Sequence, residues 1–136
     1  MKANAALRIN AGSIALEQHE KEWDNIFSMI SGSVDTIALQ DGHVEIHELQ
    51  DYLKINMNLA YKYHLHCWTN CETFDRDIPI HFLPIKREKM WHKLRAAEAV
   101  GIEKAITFEF SHFMSPNSAY IQAHGLYDRY REYAGV

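Results

Sequence analysis

Glu72 and Glu109 are the residues of this sequence whose type and placement most suggest chemistry. Glu72 directly follows the expected strand Leu65 to Cys71, and Glu109 lies near the end of a second expected strand, Glu103 to Ser111. In an extended strand residues i and i+2 share a face, so His66, Trp68, Asn70 and Glu72 fall together, opposite Leu65, Cys67, Thr69 and Cys71. In the second stretch Ile106, Phe108 and Phe110 alternate with Ala105, Thr107, Glu109 and Ser111. The bulky set is expected to pack on helices, which turns Glu109 to the same side as Glu72. Neighbouring strands lie about 4.8 Å apart. Two carboxylates at adjacent strand ends then fall within about 5 to 9.5 Å, the range in which paired acids divide the roles of acid, base and nucleophile.

A third stretch, Val34 to Gln40, places Thr36, Ala38 and Gln40 on that same side, and Asp41 opens the loop Asp41-Gly42-His43 beyond it. Each of these residues has a plainer reading. Carboxylates at strand ends also cap helices or pair with a cation. Trp68 serves either as core filling or as a platform for a sugar ring. His112 either orients a substrate hydroxyl or hydrogen-bonds its own loop. His43 and His47 stand four apart with Glu48 beside them, but the H-E-x-x-H order is absent, and His43 precedes the expected helix. No metal or other cofactor is therefore expected, and a metal-dependent hydrolase built on His43, His47 and a carboxylate is kept as an alternative.

The elements that would carry these residues alternate. Trp23, Ile26, Phe27 and Ile30 predict a helix over 14–30, ended by Ser31-Gly32-Ser33. A helix over about 44–63 carries Leu49, Tyr52, Leu53, Asn56 and Ala60 along one stripe, and a third over 86–100 stops at Gly101. Pro79 and Pro84 mark 73–85 as a long irregular loop, of a length that is usually functional. Ser115-Pro116-Asn117-Ser118 is expected to start a last helix reaching about Tyr133, on which Tyr127, Tyr130 and Tyr133 read as packing. Residues 1–13 are poorly defined, with a short strand at 6–10. Strand and helix in turn imply a parallel α/β sheet. Strand starts near Val34, Leu65 and Glu103 recur at the spacing of βαβ units. A closed (β/α)₈ TIM barrel needs about 250 residues, so three to four consecutive units in 136 residues make a single domain equivalent to half of one. Either the gene product is truncated, or two copies pair as a homodimer.

Composition narrows the partners. With 47% hydrophobic residues, 24% charged ones and a net charge of -4, the chain has a core and no basic surface for nucleic acid. It has neither a run of about 18 apolar residues to cross a membrane as a helix nor a signal-like start, so the cytoplasm is the expected location. Cys67 and Cys71, about 13 Å apart along one strand, are too distant to bridge. Free thiols fit a reducing compartment.

Three segments carry a resemblance. Gln40-Asp41-Gly42, Trp68-Thr69-Asn70-Cys71-Glu72-Thr73-Phe74 and Thr107-Phe108-Glu109-Phe110-Ser111-His112-Phe113-Met114-Ser115-Pro116-Asn117-Ser118 resemble the bacterial domain of unknown function 4434 family, over about 23–133. That family is similar in fold to TIM-barrel glycoside hydrolases. The resemblance implies a carbohydrate cleft with Asp41, Glu72 and Glu109 as its acidic cluster and Gln40, Trp68, Asn70, Ser111, His112 and Asn117 as its lining. It also implies that the chain is the C-terminal half of a barrel. If its strands are the fifth to seventh, Glu109 takes the nucleophile's place, and the usual acid, from the fourth strand, lies outside it. The expected function is thus a glycoside hydrolase-like domain, the alternative a non-catalytic fragment or carbohydrate-binding module that needs a partner half.

Overall fold

The computed structural model of the protein describes residues 3–7, 16–42, 44–77 and 81–136. Strand β1 (Ala3–Leu7) precedes helix α1 (Leu16–Ile30), followed by β2 (Val34–Gln40), α2 (Leu49–Lys62) and β3 (His66–Glu72). A hairpin of β4 (Phe74–Asp77) and β5 (His81–Pro84) leads to α3 (Arg87–Ala99). The chain ends with β6 (Ala105–Phe108), the short α4 (Phe110–Phe113) and α5 (Ile121–Ala134). The central sheet has the order β1-β2-β3-β6, with every pair parallel. This is the parallel α/β arrangement that the alternating periods imply.

One face of the sheet is sealed by helices. Ile37 and Leu39 of β2 and Cys67 of β3 bury against Phe27 of α1, Leu49, Tyr52 and Leu53 of α2 and Ala96 and Ala97 of α3. Burying each such large side chain stabilises the fold by about 1.5–3 kcal/mol, so this layer fixes the strands. A smaller cluster of Cys71, Ile85, Met90, Met114 and Leu126 ties α3 and α5 to the end of β3. Helix α3 ends where the periodicity places its end, at Gly101, whose φ of 84° is a left-handed conformation natural to glycine.

The other face carries the polar parity. Gln40 stands opposite Asn70, Asn70 opposite Ile106, and Glu72 opposite Phe108. Registered neighbours in a parallel sheet point the same way, which corrects the expected parity of β6. Ile106 and Phe108 share the face of Glu72, and Thr107 lies on the other. The bulky pair turns away from the helical layer and stays 44% and 45% exposed. Strand β6 also stops at Phe108, so Glu109 belongs to the turn into α4 rather than to the strand.

Three further expectations change. The segment after Thr73 is not irregular: Phe74 pairs with Pro84 and Asp75 with Leu83 in an antiparallel ribbon. Proline is tolerated there because a two-stranded ribbon leaves both outer edges unpaired. The last helix starts at Ile121 rather than at Pro116, since α4 and a turn intervene. The N-terminal strand Ala3–Leu7 starts ahead of the expected 6–10, and residues 8–10 of that expectation lie outside the described residues.

Candidate active site

Glu72 is the best-defined acidic residue at the strand ends. It is buried at the last position of β3. Its backbone N–H donates to Asp41 Oδ1 at 3.0 Å, and its carbonyl accepts from Lys93 Nζ at 3.1 Å. Lys93 Nζ also lies 3.2 Å from Asp41 Oδ2, with both side chains almost wholly buried. Burial pushes the Asp41 carboxyl above its ordinary range, opposed first by the Lys93 ammonium and then by the Glu72 N–H. Asp41 thus faces a lysine and a peptide group inside the protein. A Cβ on Gly42 would meet the Glu72 Oε2, Oε1 and Cδ atoms at 2.0, 2.2 and 2.3 Å, so the carboxylate lies directly over that glycine.

Asn70 precedes Glu72 on the same face and is buried, yet its Oδ1 has no hydrogen-bond partner among the described residues. An unsatisfied buried acceptor is costly unless some donor reaches it. Gln40, half-buried, stands beside it in register, and its carbonyl accepts from Tyr52 Oη at 3.4 Å. Trp68 is half-buried two residues lower, with Lys104 Nζ 4.7 Å over its ring. That cation occupies one ring face, which a sugar would otherwise share.

Glu109 is partly exposed and caps α4: its carboxylate accepts from the His112 backbone N–H at 2.9 Å and pairs with His112 Nδ1. Its carbonyl accepts from Thr73 Oγ1 at 3.2 Å, while the Thr73 N–H donates to the Phe108 carbonyl, which stitches the end of β3 to the end of β6. Ser111 and His112 are exposed on α4. Asn117 is exposed in the following turn, its N–H donating to Ser115 Oγ. Hairpin residues Phe74 and Phe82 stand next to this corner, Phe74 meeting the rings of Phe82, Phe108 and Phe113.

Of the metal alternative, His43 lies outside the described residues, and His47 is exposed before α2. Among the described residues no three His, Cys, Asp or Glu side chains gather as ligands of a metal. Burial pushes both thiols, Cys67 and Cys71, up to about 12, so neither is a nucleophile at neutral pH. Lys93 was not among the residues that the sequence singled out. The available signal was its position: Met90, Lys93 and Ala97 form the buried stripe of α3, and a lysine on such a stripe needs a buried partner.

The fold and this corner define a parallel α/β protein with acidic side chains at the C-terminal ends of adjoining strands. The chain belongs to the family described as domain of unknown function DUF4434, whose model matches residues 5–120. A crystal structure from Bacteroides thetaiotaomicron VPI-5482, of a protein called a "putative alpha-L-fucosidase", shares the fold with a TM-score of 0.87 and 56% identity over 93% of this chain. The match spans 39% of that protein's length. No curated protein matches the chain.

Proposed function

We propose that the chain is an arc of a (β/α)₈ barrel, three to four consecutive units from its C-terminal half, and that its strand-end carboxylates act on carbohydrate. The observation that carries this reading is that β3 and β6 end side by side: Phe108 takes the register position and face opposite Glu72, and Glu109 stands one residue beyond, in the turn into α4. In such a barrel the helix-free face is the lumen, and catalytic side chains sit where the strands end. Glu109 then serves as nucleophile or base and Glu72 as acid or stabiliser, without a metal. The unpartnered Asn70 acceptor suits a hydroxyl donor, which a sugar supplies in number. The likeness to the Bacteroides protein makes an aryl α-L-fucoside the first substrate to try. Release of the aryl group by the purified chain, lost in both E109Q and E72Q, is the expected result. No release from any of a panel of aryl glycosides, or release unchanged by E109Q, would remove the catalytic reading.

A second reading rests on the exposure of Ile106 and Phe108 on the helix-free face. In this reading the chain is a non-catalytic fragment or carbohydrate-binding module, completed by a partner half or by a second copy. Light scattering after size exclusion separates the two. A dimer supports completion by a second copy, and a monomer at all concentrations argues against it.

A further inference from the structure

We propose that Lys93 is a positioning residue for Glu72, acting through Asp41 and through the peptide groups of Glu72 itself; this rests on the reading of Glu72 as a functional carboxylate. Strand β2 pairs with β3 only as far as Gln40 opposite Asn70. The N–H of Thr73 is directed to β6, and alternate residues of a strand direct their backbone groups to opposite neighbours, so those of Glu72 point toward the β2 side. There the paired strand has run out. Asp41 and Lys93 stand in for it: the aspartate takes the N–H, the lysine takes the C=O, and their own contact closes the bracket.

Packing alone does not call for this arrangement. An apolar pair of similar volume holds a helix to a sheet as well as, or better than, a buried ion pair does. What the charges add is a fixed direction for one residue. With both of its peptide groups held, the Cα–Cβ bond of Glu72 is aimed, and the absence of a side chain on Gly42 leaves room for the carboxylate. A misplacement of about 1 Å in a reacting group costs about a hundredfold in rate, which is the scale on which such a bracket matters. Lys93 does not touch substrate in this scheme. It acts through the backbone of the residue that does.

The test is the variant D41L/K93M, which removes one charge of each sign and so leaves the local net charge unchanged. The carboxyl carbon of Glu72 is followed by ¹³C NMR across pH, with E72Q assigning the signal and exposed Glu98 as the control. The expected result is a folded protein in which the Glu72 midpoint moves by about half a pH unit or more while that of Glu98 does not. K93R, which keeps a cation in place, is expected to restore the wild-type midpoint. A Glu72 midpoint within about 0.1 unit of wild type in the folded variant overturns the proposal. Where the double variant does not fold, D41N/K93M, which likewise strands no charge and keeps the side-chain volume at position 41, is measured in the same way and judged by the same outcomes. Because this readout needs no turnover, a wild-type chain that hydrolyses nothing removes the functional reading and leaves the test of the bracket standing. Where turnover is found, kcat is expected to fall about a hundredfold in D41L/K93M with KM nearly unchanged. A KM effect alone counts against positioning.

Discussion

At Gly42 the missing side chain is what leaves room for the Glu72 carboxylate. A methyl group there would meet the end of a flexible side chain rather than backbone, so the carboxylate gives way first. G42A is therefore expected to cost only about 1 kcal/mol in a urea titration, the low end for overpacking, while any glycoside turnover falls about a hundredfold. Loss of several kcal/mol would mean that the backbone has moved instead. The thiols give a second check. Cys67 and Cys71 are buried and held protonated, so a maleimide should label the native protein only at the rate of unfolding and should label both sites at once in denaturant. At this scale the sequence was informative about which residues share a face on β2 and β3, because alternation is a property of the strand itself. It was uninformative about Asp41 and Lys93, whose meeting depends on how a helix fifty residues on is laid across the sheet.

The ends of α1 and α2 and both ends of α3 were legible to within a residue, since each helix buries one stripe and the apolar period reports that burial, whereas α2 starts at Leu49 rather than near 44. Strand β6 was not legible. Its alternation looks the same whichever set faces the helices, and the expectation that bulky residues turn to the helical layer fails where that layer gives way to an open face. The hairpin was hidden by Pro84, which suits the end of an unpaired ribbon as well as an irregular loop. The Asp41–Lys93 pair gives α3 a specific energetic tie to the sheet. K93M leaves the buried Asp41 without its cation and is expected to lower stability by about 3–5 kcal/mol. D41L/K93M, which strands no charge, should recover most of that loss. Equal losses in the two variants, measured by urea unfolding, would show that packing volume rather than charge decides the tie.

Taken as a whole, the molecule joins its first two helices through a polar contact inside an otherwise apolar layer. His19 of α1 is buried, with Nε2 2.9 Å from Asn56 Nδ2 on α2 and its ring 5.2 Å from that of Tyr52 and 5.9 Å from that of Trp23. Burial lowers the pKa of the imidazole below its ordinary value, only partly offset by the Asn56 hydrogen bond and by Glu22 and Glu20. The native protein thus favours the neutral ring. Between the lowered folded value and the ordinary value near 6.5 the unfolded chain binds more protons than the native one, so stability rises with pH through that window. His19 accordingly contributes its full share above about pH 6.5 and loses it progressively as the solution is acidified. The slope from one such group cannot exceed about 1.4 kcal/mol per pH unit. H19L removes the titration, although it also strands the Asn56 amide, so its stability is expected to be lower than wild type at pH 7.5 and to converge toward it at pH 5. The comparison is a pair of urea titrations at each pH, in which only the difference between the two proteins is read. Parallel pH profiles would mean that the imidazole titrates alike in the folded and unfolded chains, and that burial of His19 makes no pH-dependent contribution to the joint between α1 and α2.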